Sequence, residues 1–195
     1  AGRLKYSCTG ARVKELAKVA PELEVACKKM AAGQLEKGIA AVRALRDSGK
    51  DDYKVCSDMK SAAETAGPEQ VAAAKQLCDE MKVSADVQKT LATARANVAA
   101  KKADIPFDCK YTAEKLAPIA SEWSKKALDD VVKACFVDLG IVVIEANAKD
   151  ARRCPHAITN LQELVTTYGL VEKHAELAEA YKKIPKSCAK VAAEK

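Results

Sequence analysis

The chain has 195 residues, and its 33 basic and 27 acidic side chains leave a formal net charge of +6. Its apolar fraction of 49% with only 4% aromatic residues argues against intrinsic disorder and is typical of packed amphipathic helices. Lysines are interleaved with acidic residues along the chain instead of forming arginine-rich clusters, so we expect no nucleic-acid partner.

The eight cysteines carry the strongest compositional signal. They are widely spaced, so the sequence has no CxxC or CxxCH motif and no paired zinc ligands. This pattern favours a disulfide framework, with buried free thiols as the alternative. Disulfides indicate an oxidising compartment, and we expect a periplasmic, cell-surface or secreted protein. The candidate disulfide cysteines are Cys8, Cys27, Cys56, Cys78, Cys109, Cys135, Cys154 and Cys188.

The residue order around the first cysteine recurs later in the chain. Tyr6-Ser7-Cys8 precedes the run Leu16-Ala17-Lys18-Val19-Ala20, and Phe107-Asp108-Cys109 precedes Leu116-Ala117-Pro118-Ile119-Ala120. Four of the eight cysteines come before the second copy and four lie within it. We therefore predict two related, disulfide-stapled helical halves, residues 1–104 and 105–195, forming either two domains or one packed domain.

A shorter motif also recurs, as Ile105-Pro106-x-x-Cys109 and Ile184-Pro185-x-x-Cys188. The residue before a proline disfavours helical backbone, so we expect a helix to end at each copy. The turn would then deliver a cysteine to a fixed place. Each motif is predicted to form a local staple, in which a short turn is closed by a disulfide.

In the first half, apolar residues recur every three or four positions, which predicts amphipathic helices. Asp51 or Asp52 is expected to cap a helix. Gly67-Pro68 marks a boundary, because glycine ends helices and proline suits the first helical position. Further interruptions are predicted at Pro21, Gly33 and Ser84.

In the second half, an apolar stripe that includes Leu116 is predicted to end at Gly140, and residues 141–153 form the most apolar helix. Cys154-Pro155 opens a further helix, which Gly169 ends. We predict an all-α fold, either an antiparallel helical bundle or solenoid-like stacked helical hairpins. Charged residues interrupt the most apolar region, so we expect no membrane span.

The sequence offers little catalytic chemistry. Its two histidines are His156 and His174, and His174 is predicted to be a buried structural residue. The chain contains no glycine-rich phosphate loop, no HExxH motif and no carboxylate pattern of the EF-hand or di-iron type. We expect no enzymatic activity, no bound metal and no cofactor.

The first functional hypothesis is a non-catalytic, extracytoplasmic binding or scaffold protein that acts through protein–protein interaction. The alternative is a carrier of a lipophilic small molecule, lipid- or sterol-like, held in a cavity between helices. A third is a self-assembling surface or filament subunit, which would make the chain an oligomer. For the carrier, the candidate ligand-facing residues are Trp123, Phe136, Ile141, Ile144, His174 and Tyr181.

Overall fold

The computed structural model describes residues 20–148, 150, 152–185 and 188, together with Glu15 and Lys18. The regular structure of these residues is all-helical, with no strand among them, which confirms the predicted class. Cys8 lies outside the described residues. The helices are α1 (Pro21–Asp47), α2 (Tyr53–Ala66), α3 (Pro68–Ala99), α4 (Phe107–Leu116), α5 (Glu122–Val132), α6 (Leu139–Asn147), α7 (Cys154–Tyr168), α8 (Leu170–Lys173) and α9 (Ala175–Lys182), with a π-helical segment (Lys133–Asp138) between α5 and α6.

The chain divides into two compact units, Ala1–Ala85 and Asp86–Lys195, termed the first and second units. Helix α3 crosses this division, so its first part belongs to the first unit and its second part to the second. The predicted boundary between residues 1–104 and 105–195 lies later in the sequence, after the end of α3.

The core of the first unit is built from α1, α2 and the first part of α3. The Asp52 carboxylate caps α2 by accepting hydrogen bonds from the backbone N–H groups of Lys54 and Val55 (2.9 and 3.2 Å), as predicted. Arg46 at the end of α1 pairs with the buried carboxylate of Glu80 in α3, which leaves that charge compensated. The buried core consists of Leu35, Val42, Cys56, Met59, Ala62, Ala63, Ala74, Leu77, Cys78 and Met81.

Helix α1 contains two glycines, and neither ends it. The predicted interruption at Gly33 is wrong, because the helix runs without a break from Pro21 to Asp47. One glycine in a helix interior costs about 1 kcal/mol, and burial of Ala31 and Leu35 on either side offsets that cost. Gly38 has a packing role instead. A Cβ atom there would lie 2.9 Å from Cβ and 3.3 Å from Cα of Met59, so α1 and α2 approach each other closely at this point.

Helix α3 begins at the predicted Gly67-Pro68 boundary but passes through the predicted break at Ser84. The buried Ser84 hydroxyl donates a hydrogen bond to the Met81 carbonyl (2.6 Å). A serine that bonds back to its own helix is satisfied without starting a new one. The expected cap is therefore an interior residue of one long helix.

The second unit begins with the second part of α3, which packs on α4. The buried hydroxyl groups of Thr90 and Thr112 share a hydrogen bond of 2.9 Å between these two helices. Lys115 Nζ of α4 lies 2.7 Å from the Asp86 carboxylate of α3. These contacts fix α4 against α3, and α4 forms one wall of the site described below.

Helix α5, the π-helical segment and α6 follow one another without a break, so the predicted stop at Gly140 is wrong. A Cβ atom on Gly140 would lie 3.2 Å from Leu161 Cδ1 and 3.7 Å from Leu177 Cδ1. This glycine therefore allows α7 and α9 to pack closely on α6. Where glycine does end a helix as predicted, at Gly169 after α7, the backbone is left-handed, with φ of 59°.

The seven cysteines among the described residues are all disulfide-bonded. The Cys56–Cys78 bond lies in the first unit, and the Cys109–Cys135 and Cys154–Cys188 bonds lie in the second. Over the described part of the chain, no helix is both long enough and apolar enough to cross a bilayer.

The two Ile-Pro-x-x-Cys motifs share one backbone hydrogen bond, but only the second directly follows the end of a helix, as predicted. The backbone N–H of Cys109 donates to the Pro106 carbonyl (3.0 Å), and that of Cys188 donates to the Pro185 carbonyl (2.9 Å). Each cysteine is buried, but its disulfide partner lies 26 residues away for Cys109 and 34 for Cys188, so the predicted closure of a short turn by a disulfide is wrong. The predicted helix exit is wrong at the first motif, because Pro106 directly precedes the first residue of α4 and so starts a helix.

The two glycines of α1 provide a matched pair for mutagenesis. We expect Gly38→Ala to lower the free energy of unfolding by about 1–3 kcal/mol, because the new methyl group meets the backbone of Met59. Gly33→Ala should raise it by up to about 1 kcal/mol, because nothing lies within 4 Å of the new atom. Chemical denaturation of both variants measures the difference. Equal effects of the two substitutions would contradict the close approach of α1 and α2.

Candidate functional site

The second unit contains a groove of about 300 Å³. One wall is the connection between α3 and α4 with the first turn of α4, and the rest comes from the π-helical segment, α6 and α7. The lining residues are Ala103, Asp104, Ile105, Pro106, Phe107, Lys110, Phe136, Val143, Ala157, Asn160 and Leu164.

The wall between α3 and α4 is held by local hydrogen bonds. Helix α3 ends at Ala99. Beyond it, Lys101 is in a left-handed conformation (φ 52°), and the Lys102 N–H donates back to the Asn97 carbonyl (2.9 Å). The Asn97 side chain donates in turn to the Asp104 carbonyl (3.0 Å). These bonds form a C-terminal cap that turns the chain sharply and fixes residues 103–106 in place.

The floor of the groove depends on the π-helical segment. Phe136 in this segment is fully buried and stacks on Tyr168 of α7, with ring centroids 5.4 Å apart. The Lys133 ammonium and the Asp138 carboxylate are 2.7 Å apart, a pairing of residues i and i+5 that matches the π-helical turn. The neighbouring Cys135 is bonded to Cys109, so the floor is covalently joined to the α4 wall.

An exposed aromatic pair stands at the rim. Phe107 is 82% exposed and Tyr111 is 46% exposed, and their rings stack with centroids 6.4 Å apart. The Lys115 ammonium lies 4.1 Å from the centre of the Tyr111 ring. Its hydrogen bond to the Asp86 carboxylate raises the pKa of Lys115, and the cation lies over the face of the Tyr111 ring.

The charged side chains at the groove differ in whether they form ion pairs. The Asp104 carboxylate lies 3.6 Å from the Lys102 ammonium, and Asp108, one residue after Phe107, lies 3.1 Å from Lys89. Lys110 lines the groove and makes no ion pair among the described residues. The rim thus combines an exposed aromatic ring with a lysine that has no ion-pair partner among the described residues.

One of the six candidate ligand-facing residues lies in the lining of this groove. Phe136 lines the groove, whereas Trp123, Ile141 and Ile144 do not belong to its lining. His174 was expected within a continuous helix but lies at the junction of α8 and α9, with extended backbone (φ −129°) and its Nδ1 3.5 Å from Glu176. The ligand-facing role of these residues stays a prediction.

Tyr181, the sixth candidate, carries a buried hydroxyl group without a hydrogen-bond partner among the described residues. Burial raises the pKa of this phenol well above its ordinary value of 10.0. The group is therefore neutral at physiological pH. Among the described residues, no cluster of three or more His, Cys, Asp or Glu side chains is arranged to hold a metal ion.

The rim was not predicted from the sequence, although the sequence carries a signal for two of its residues. The buried stripe of α4 is Cys109, Thr112, Ala113 and Leu116. Phe107 and Tyr111, one helical turn apart, project from the opposite face. Two aromatic residues off the buried stripe of a helix indicate an exposed patch, and a helical projection of the sequence would have shown it.

Removal of the Tyr181 hydroxyl tests its burial. Tyr181→Phe should leave the free energy of unfolding unchanged or raise it by about 1 kcal/mol at neutral pH, because an unpaired buried group is lost. Because burial raises the phenol's pKa in the folded state, its contribution to the free energy of unfolding is fully present below about pH 10. This contribution falls as the pH rises further, because the phenol then ionises in the unfolded chain. Between about pH 10 and 11, Tyr181→Phe should therefore lose less free energy of unfolding than the unmodified chain.

Denaturation at several pH values measures this effect. Tyr53→Phe is the control, because Tyr53 is 80% exposed and its substitution should change stability by less than about 0.5 kcal/mol. Identical pH profiles for Tyr181→Phe and the unmodified chain would show that the phenol is not buried in solution.

Comparison with known proteins identifies no relative of this chain. No protein-family model matches it, and neither the curated proteins nor the solved structures contain a significant match. The function has to be inferred from the groove and the chemistry of its residues.

Proposed function

We propose that this protein is a non-catalytic binding protein that recognises another protein through the groove of the second unit. The observation that carries the proposal is the exposed Phe107, stacked on Tyr111 at the rim of an apolar groove. Large aromatic residues are enriched at the centres of protein interfaces, where few side chains supply most of the binding energy. An aromatic pair left open to water is costly unless a partner covers it.

The shape of the groove favours a protein segment over an enclosed small molecule. Its volume of about 300 Å³ is at the lower limit for small-molecule sites. Phe136 and Val143 at its floor are almost wholly buried, so little of their surface is free for a ligand. Phe107 at its rim is open to solvent. A partner that covers the rim and inserts one side chain would fit such a shallow site.

A carrier of a lipophilic small molecule is the second candidate. It is favoured by the apolar lining that Ile105, Pro106 and Leu164 contribute above the floor. A ligand there would lie partly in the groove and partly against Phe107. Self-assembly of this chain through the same rim is the third candidate.

The proposed setting is outside the cytoplasm, in the periplasm, at the cell surface or in a secreted fluid. The disulfide bonds of both units support this setting, because such bonds persist in oxidising compartments. The proposed architecture is two related helical halves, arranged as antiparallel bundles or stacked hairpins. The recurrence of residue order after Cys8 and after Cys109 supports it.

Substitution of the rim aromatic tests the proposed function. Phe107→Ala should weaken capture of a specific partner from the extracytoplasmic fluid of the natural source by roughly thirtyfold, the effect of a residue worth about 2 kcal/mol at an interface. The thermal midpoint should be unchanged, because the ring is exposed. Tyr53→Ala, at an equally exposed aromatic of the first unit, is the matched control and should capture normally.

Quantitative mass spectrometry of the captured proteins gives the result. Equal capture by the two variants would contradict a role for the groove. Native mass spectrometry of protein purified from its source separates the other candidates: a bound lipophilic molecule would support the carrier, and a dimer abolished by Phe107→Ala would support self-assembly.

A further inference from the structure

We infer that the groove of the second unit takes an acidic, apolar peptide segment of its partner, in which a large apolar side chain enters the groove and a nearby carboxylate pairs with Lys110. This inference rests on the proposed function and specifies the partner's chemistry. It follows from the charges and the free hydrogen-bonding groups at the rim.

Two of the acidic groups near the groove already have basic neighbours, whereas Glu114 of α4 has no ion pair among the described residues. Asp104 lies beside Lys102, and its backbone carbonyl accepts from the Asn97 side chain. Asp108 is paired with Lys89. These two aspartates have little remaining capacity to attract a positively charged segment.

Lys110 is different. It lies one helical turn after Phe107 in α4, and both residues line the groove. Glu114, one turn further along α4, forms no ion pair with it in the described structure, and Lys101 adds a second exposed positive charge near the end of α3. The rim is therefore complementary to a carboxylate that arrives with an apolar side chain.

The residues that line the groove determine which apolar side chain of the partner segment fits it. Ile105, Pro106 and Leu164 offer aliphatic surface above the buried Phe136 ring, and the groove volume of about 300 Å³ accepts one large side chain. Leucine, isoleucine, methionine or phenylalanine would cover this surface. An aspartate or glutamate within a few residues of it would reach Lys110.

The experiment is selection from a displayed library of random linear peptides. The intact chain, Lys110→Glu and Lys125→Glu are used in parallel; Lys125 is an exposed lysine of α5 outside the groove lining, so it controls for net charge. The intact chain and Lys125→Glu should enrich peptides that combine a large apolar residue with Asp or Glu. Lys110→Glu should lose the acidic preference and favour Lys or Arg.

A synthetic peptide of the enriched class should bind Lys110→Glu roughly tenfold more weakly than the intact chain, and added salt should reduce this difference. Binding should also fall in Phe107→Ala. These two results together support the inference, because they place both the charge and the apolar side chain at the groove.

Other outcomes overturn it. Enriched apolar peptides that require Phe107 but show no acidic preference would overturn the inference and leave the proposed function standing. Peptides that bind Phe107→Ala normally, or no enrichment at all, would overturn both. Dodecanoate that binds in a Phe107-dependent manner when no peptide does would replace the protein partner with a lipophilic ligand. Phe107-dependent dimers without peptide binding would replace it with a second copy of the chain.

Discussion

The disulfide between Cys109 and Cys135 is the constraint on which the groove depends. It joins the first turn of α4 to the π-helical segment, and both cysteines are fully buried. Phe107 and Lys110 lie within two residues of Cys109, and Phe136 directly follows Cys135, so the bond sets the distance between the rim and the floor. A disulfide that closes a loop of this length is worth roughly 3–4 kcal/mol in the chain-entropy model. Local opening of this wall is correspondingly suppressed.

A rigid rim has a consequence for binding. Stacking on Tyr111 and the cation above that ring restrict the exposed Phe107 before any partner arrives. The Asn97 side chain likewise restricts the connection between α3 and α4, because it donates a hydrogen bond to the Asp104 carbonyl. Ordering of side chains and loops on binding costs about 0.5–1.5 kcal/mol for each immobilised side chain. Much of that cost has been met during folding, so a small groove can still support specific recognition.

Local chemistry in the sequence predicted some of this structure, and packing decided the rest. Some caps and stops that rest on one residue's own preference were predicted correctly, as at Asp52 and Gly169, whereas the cap predicted at Ser84 was wrong. Gly33 and Gly140 were wrongly predicted to end helices. The sequence alone does not distinguish a glycine that ends a helix from one that is tolerated within it or that allows a neighbouring helix to pack closely. The groove could not be predicted, because Asp104, Val143 and Leu164 become neighbours only through the tertiary fold. The exposed aromatic face of α4 could have been predicted from the sequence.

The most direct test of this account compares removal of one disulfide from each unit. Cys109→Ala/Cys135→Ala and Cys56→Ala/Cys78→Ala should both lower the thermal midpoint. Isothermal titration with a groove-binding peptide, at a temperature where circular dichroism shows both variants folded, then gives the affinity. The account predicts a loss of roughly tenfold or more for the second-unit variant and unchanged affinity for the first-unit variant. Full affinity in Cys109→Ala/Cys135→Ala would contradict it.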